Sequence, residues 1–153
     1  MILDAGAVRL PPAIAATVAD LPDSEEVVGV NADGRFRSYR LAAMGQSPAL
    51  HVVNDRIGTI PVSVTYCDLR NCIAVFIGVG GDPLDLREGG LFGGRMLLRV
   101  GESRYLQETL EPPTPSGAPQ FPYAAHSWER TTWGAWRRTH PRTDVYIGET
   151  THP

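Results

Sequence analysis

Lysine is absent from this chain: apart from histidine, all 14 basic side chains are arginine. That removes Schiff-base and lysine-nucleophile chemistry. Cysteine is scarce, with two residues in 153, too few to staple a disulfide scaffold. Positive charge is not concentrated either. The formal net charge is -3, and Arg137-Arg138 is the only adjacent arginine pair, so no basic stripe offers itself to nucleic acid. The longest apolar run, Cys72 to Val79, falls far short of the roughly 20 residues a membrane helix needs. Met1-Ile2-Leu3 meets Asp4 at once, without a basic stretch leading into an apolar core, so no export signal is expected. These absences predict a soluble, cytoplasmic protein with neither nucleic acid nor membrane as partner. Gly-x-Ser-x-Gly and His-Glu-x-x-His are also missing, which leaves out two common hydrolase patterns.

What is present reads as one domain with enough chain to bury a core. Residues 1-24 are expected to be an N-terminal arm in which Pro11-Pro12 opens a short helix over Ala13 to Ala19, with Ile14 and Val18 one turn apart. Residues 25-149 form the β-rich domain and 150-153 a tail. Val27 to Val30 and Arg35 to Leu41 flank Asn31-Ala32-Asp33-Gly34, a turn whose Asp and Gly tolerate positive φ. Further strands are expected at Leu50 to Asn54, Pro61 to Cys67, Cys72 to Val79, Arg95 to Val100 and Tyr105 to Leu110. Glu111 to Pro122, with five prolines, is expected to be irregular. Thr131 or Thr132 can cap a short helix carrying Trp133 and Trp136 on one stripe, which Pro141 stops. Asp144 to Gly148 is expected as a last strand. The fold class is mainly β: a small barrel or sandwich of antiparallel hairpins with an N-terminal arm and a short C-terminal helix.

Several motifs resemble one bacterial family. They are His51-Val-Val-Asn-Asp55, Pro61-Val-Ser-Val-Thr-Tyr-Cys67, Gly93-Gly94 leading into Arg95 to Val100, Tyr105-Leu106-Gln107, Thr131-Thr132-Trp133-Gly134-Ala135-Trp136, and His140-Pro141-x-Thr143-x-Val145. The pattern is similar to the family known as domain of unknown function 3179, over Val28 to Ile147. The common family form has two residues between its cysteines. Here Asp68-Leu69-Arg70-Asn71 puts four between Cys67 and Cys72, so a Cys-x-x-Cys knuckle does not transfer. The resemblance implies no activity.

The residues that could carry chemistry are few. If Pro61 to Cys67 and Cys72 to Val79 form a hairpin, Cys67 and Cys72 become cross-strand neighbours with Cβ atoms about 4.5–5.5 Å apart. That spacing is close to what a disulfide needs and suits two ligands of one metal, and equally two ordinary half-buried strand thiols. The other hairpin face, Val62, Val64 and Tyr66 against Ile73, Val75 and Ile77, is expected core. The cysteine face also carries Ser63, Thr65 and Ala74, so it reads as more polar, with a pocket or wet surface there. His51, by strand alternation on the face of Val53, is the leading histidine, either a functional group near Cys67 or a packed strand-start residue. His140 is a helix-end histidine or a fourth ligand. His126 has no identifiable partner, and His152 belongs to the tail. Trp128, Trp133 and Trp136 read as core. The glycines of 78–81 and 89–94 are read as bends or bulges in strands rather than a nucleotide loop.

Two functions follow. One is a small enzyme using a Cys/His site, with Cys67 and His51 catalytic and Cys67, Cys72, His51 and His140 able to hold copper, zinc or iron. The other is a non-catalytic binding or assembly module with structural cysteines. A small-molecule ligand and a homo-oligomer are compatible with both.

Overall fold

The computed structural model describes residues 6–148. In chain order they form strands β1 (Val8–Arg9), β2 (Ile14–Ala15), β3 (Glu26–Ala32) and β4 (Arg35–Arg40), then a one-turn helix α1 (Leu41–Met44). A 3-10 turn at Pro48–Leu50 leads into β5 (Val52–Ile57), β6 (Ile60–Cys67) and β7 (Cys72–Ile77). After them come β8 (Arg87–Phe92), β9 (Arg95–Val100), β10 (Ser103–Leu106), β11 (Ala124–Ala125) and β12 (Glu129–Thr132). Helix α2 (Trp133–Thr139) and β13 (Asp144–Tyr146) finish the fold.

The strands build three open sheets, ordered β1-β5-β6-β7-β11, β10-β9-β8 and β12-β3-β4-β13-β2. None closes on itself, so of the two architectures expected, the sandwich is the one found. Antiparallel hairpins dominate, but β1 joins β5 and β13 joins β4 in parallel. The β3–β4 turn is as the sequence predicts: Asp33 and Gly34 hold φ of 53° and 82°, the two-residue turn that matches strand twist.

The five-stranded β5–β6–β7 sheet is the middle layer. On one face Val53, Ile57, Val62, Val64 and Val75 meet Val28, Val30, Tyr39 and Tyr146 of the β3–β4 sheet. On the other, Val52, Cys67 and Phe76 meet Met96, Leu98 and Tyr105 of the β8–β10 sheet, with Leu86 and Phe121 between. Helix α2 covers the outer face of the β3–β4 sheet: Trp133 and Trp136 pack on Val27 and Val145, and a Cβ at Gly29 would overlap the Trp136 ring. Thr132 caps this helix by accepting a hydrogen bond from Ala135 N. Trp128 lies outside this core, 42% exposed.

The arm departs from its expected helix. Ile14 and Ala15 instead pair with Val145 and Asp144, and Val8 and Arg9 pair with Val53 and Asn54. Each completes the edge of a sheet, and the backbone bonds gained there outweigh the helical spacing of Ile14 and Val18. Tyr105 to Leu110 is strand only to Leu106, since Leu110 N bonds back to Leu106 O to form a turn. Arg87–Phe92 is a strand despite Gly89 and Gly90; the register slips between Glu88 and Leu91, the bulge those glycines permit.

Polar bonds tie the layers together. Asp55, 2% exposed, accepts hydrogen bonds from Arg37 Nη1 at 2.9 Å and Tyr39 Oη at 2.6 Å across the sheet interface. Arg37 also holds Asp144 through Nε at 2.7 Å and Nη2 at 2.9 Å. Asn54, pointing the other way, donates to Leu86 O and accepts from Ser63 Oγ, both at 2.7 Å. Removing one partner of a buried ion pair strands the other, at about 3–5 kcal/mol. Asp55→Ala is therefore expected to lose several kcal/mol in urea unfolding, and a loss near zero would show that the Arg37 clasp does not hold the layers.

Candidate functional site

The cysteine register is the predicted one: Cys67 sits opposite Cys72. Gly78 N donates to Pro61 O, and alternation along the ladder makes Cys67 and Cys72 a hydrogen-bonded pair, with Cα atoms about 5.5 Å apart. Both thiols are free. Their surroundings differ from the polar pocket expected. Cys67 is 1% exposed within the apolar layer of Phe76, Met96 and Tyr105. Ser63 and Thr65 on the same face are fully buried, and Thr65 donates to Ala74 O and accepts from Gln107 Nε2. The β8–β10 sheet lies over this face, which is why it is dry.

Cys72, at the edge, is half-buried. Its Sγ lies 3.3 Å from Arg70 O and 3.8 Å from Glu108 Oε2. Burial first, then the charge of Glu108, raises its thiol pKa. Glu108 stays ionised because Arg95 donates to it at 2.8 Å, with Arg70 nearby. The Cys72 sulfur is therefore not poised as a thiolate at neutral pH.

His51 is not in a strand. It ends the 3-10 turn with φ of -70° and ψ of -18°, because β5 begins only at Val52, so the face predicted by alternation does not apply. The group acting on its ring is Asp68, whose Oδ1 is 3.2 Å from Nε2. Both ring nitrogens are buried without a hydrogen bond of good geometry. Burial lowers its pKa, against a smaller opposing pull from Asp68.

His140 lies in another layer. It stacks on Phe36, with ring centroids 3.9 Å apart and 13° between planes, and against Trp136 at 4.3 Å. Two sheets separate this outer layer from the cysteine layer, so His140 does not join Cys67, Cys72 and His51. Among the described residues no three His, Cys, Asp or Glu side chains converge as a metal-ligand set. His126 Nε2 is 2.8 Å from Asn31 O, and His152 lies outside the described residues. No described helix is long and apolar enough to cross a membrane.

A different site comes from the same layers. Where α2 ends beside the β3–β4 and β5–β6 turns, a cleft of about 600 Å³ opens, lined by Arg35, Phe36, Arg37, Gly58, His140 and Arg142 among others. Arg37 forms its floor. Burial acts to lower the Arg37 pKa, but the Asp144 hydrogen bond and the Asp55 charge outweigh it and keep the guanidinium protonated. The stem of Arg35 lies over Gly58, whose φ is 63°. Arg35 and Arg142 are exposed and have no side-chain partner among the described residues. Of the three guanidinium groups only Arg37 engages the carboxylates Asp55 and Asp144, while Arg35 and Arg142 line the same opening. Sequence reading missed this site because scattered arginines carry no periodic signal. Its traces were His140 and Pro141, which line it and lie in a motif already singled out, and Asp55, which holds Arg37 from below.

His51 supplies a pH test. Its folded pKa lies below the ordinary 6.5, so as pH falls the unfolded chain takes up the proton first. The stability it contributes is present above that value and is lost toward lower pH. Between pH 7 and 5 the wild type is expected to lose more stability than His51→Asn in thermal unfolding. Parallel losses would mean the histidine is not buried as described.

A family model described as Protein of unknown function (DUF3179) matches residues 7–153. No curated protein and no solved structure matches the chain. With nearly its whole length matched, the chain belongs to that family of proteins of unknown function.

Proposed function

We propose that this domain is a non-catalytic binding module that takes a small oxyanion-bearing molecule in the Arg35–Arg37–Arg142 cleft. One observation carries the reading: Arg35 and Arg142 lie unpartnered beside a rigidly held Arg37 in a cleft of about 600 Å³. Guanidinium forks match carboxylate and phosphate oxygens in geometry as well as charge. The cleft offers recognition groups but no cysteine, serine or free carboxylate; its carboxylate Asp144 is held by Arg37, Thr139 Oγ1 donates to Ala135 O, and His140 is stacked between Phe36 and Trp136. Phe36 and His140 give it a flat aromatic wall.

The Cys/His enzyme reading retains one supporting observation, the cross-strand pairing of the two thiols. Against it stand the sealed position of Cys67 and the separation of His140. Two reduced thiols suit a reducing, cytoplasmic setting.

Titration calorimetry at low ionic strength with inorganic phosphate and with a short dicarboxylate tests the cleft. Saturable binding to one of them is expected, weakening with salt. Arg35→Ala/Arg142→Ala should reduce it at least about tenfold, since a hydrogen bond to a charged group contributes roughly 1.5–3 kcal/mol. Heat signals that never saturate with either probe, or a double variant that binds as well as wild type, would end this reading.

A further inference from the structure

A second site, independent of the cleft, lies at the turn end of the β6–β7 hairpin. We propose that Cys67 and Cys72 form a thiol–disulfide exchange pair for small disulfides, with Cys72 as the entry sulfur and Cys67 as the resolving one.

The register carries the geometry. The two residues are opposed across the ladder, and a Cα separation of about 5.5 Å for a hydrogen-bonded pair lies inside the roughly 4.4–6.8 Å range that a disulfide spans. The Cβ atoms of such a pair, about 5.5 Å apart, have to draw in by about 1 Å to reach the spacing the bond needs. Strand alternation sends both side chains to one face, so closing the bond requires no change of register. Their loop is only Asp68–Asn71, which keeps the strand ends together in the reduced state.

Burial sets the order of events. Cys72 is half-buried and Cys67 is 1% exposed, so an outside disulfide reaches Cys72 first. Cys67 is sealed beneath the β8–β10 sheet and can meet only a sulfur already attached at Cys72. The rim suits an acidic disulfide: Arg70 and Arg95 flank Cys72 and share Glu108 between them, at 3.7 Å and 2.8 Å. A small disulfide bearing carboxylates can compete with Glu108 for these guanidinium groups.

The chemistry balances. The Cys72 thiol gives up its proton, and its thiolate attacks one sulfur of R–S–S–R. The S–S bond breaks, Cys72–S–S–R forms, and the first RS⁻ leaves with that proton as RSH. Cys67 then loses its proton as its sulfur attacks the Cys72 sulfur. The Cys67–Cys72 bond forms, and the second RS⁻ departs and is protonated. Two protein thiols are oxidised by two electrons, and one small disulfide is reduced to two thiols.

Glu108 acts as a brake. Its carboxylate stands 3.8 Å from the Cys72 sulfur and disfavours the thiolate that must attack. The attack should therefore speed up with pH, and Glu108→Gln should react several-fold faster than wild type near neutrality.

The test uses the reduced full chain, oxidised glutathione as the probe, and intact mass after alkylation in denaturant. The wild type should lose the mass of two hydrogens, keep no glutathione, take up no alkylating agent, and revert fully with dithiothreitol. Cys67→Ser should stop at a stable glutathione adduct on Cys72, and Cys72→Ser should remain unreacted while folded. Circular dichroism confirms that both variants are folded. A wild type that stays fully alkylatable, or keeps a glutathione adduct, would overturn the pair. Equal reactivity of the two single variants would overturn the assigned order. Phosphate or dicarboxylate binding at the arginine cleft is read separately, so either site can fail without the other.

Discussion

Adjacent residues on a strand point to opposite faces, and the fold depends on one such dipeptide, Asn54-Asp55, in the middle layer. Asp55 reaches into the sheet interface on one side, where Arg37 and Tyr39 donate to it. Asn54 reaches the other way, to Leu86 and Ser63. Apolar contact between layers is plentiful but non-directional, and it would tolerate sliding. Charge-assisted bonds at 2.6–2.9 Å do not. They also bring β13 into line, because the guanidinium that holds Asp55 holds Asp144 as well. The Tyr39 hydroxyl completes the cluster. Burial, with the adjoining carboxylate, pushes its pKa well above the ordinary range, so it remains a donor.

The clasp also shapes the surface above it. By consuming Asp55 and Asp144 it leaves no described carboxylate to neutralise Arg35 and Arg142, which flank the same opening. A structural ion pair thus produces an unbalanced cationic cleft as a consequence of where it sits. The thiols answer to a different constraint. A middle layer covered on both faces buries most β6 side chains, and Cys67 is sealed by the Met96–Tyr105 layer. Cys72, across from it on β7, is half-buried.

How much could be read from residues alone differs by element. The β3–β4 turn, the Cys67–Cys72 register and the Thr132 cap were legible, because each is set by neighbours within a few positions: two residues with positive φ, a short connection, a side-chain oxygen three residues from an amide. The Gly89-Gly90 bulge was legible as a bulge, though its strand was not. The arm was misread as helix because Ile14 and Val18 have helical spacing, while the edge of β13 that claims Ile14 lies more than a hundred residues away in the chain. His51 was misread for a related reason: Pro48 starts a 3-10 turn that ends on it, shifting the strand start past the histidine.

The amino-acid order by itself determined the β class, the hairpins, the capped closing helix and the opposition of the two cysteines, all of which follow from backbone preferences and alternation over short spans. Only the tertiary structure decided which face of each strand is dry, which histidine meets which partner, and where unpaired charge collects. Those depend on how three sheets stack, and stacking is settled by contacts between residues far apart in the chain. That is why Cys67 is sealed, why His140 stands two sheets from it, and why the arginine cleft left no periodic trace in the sequence.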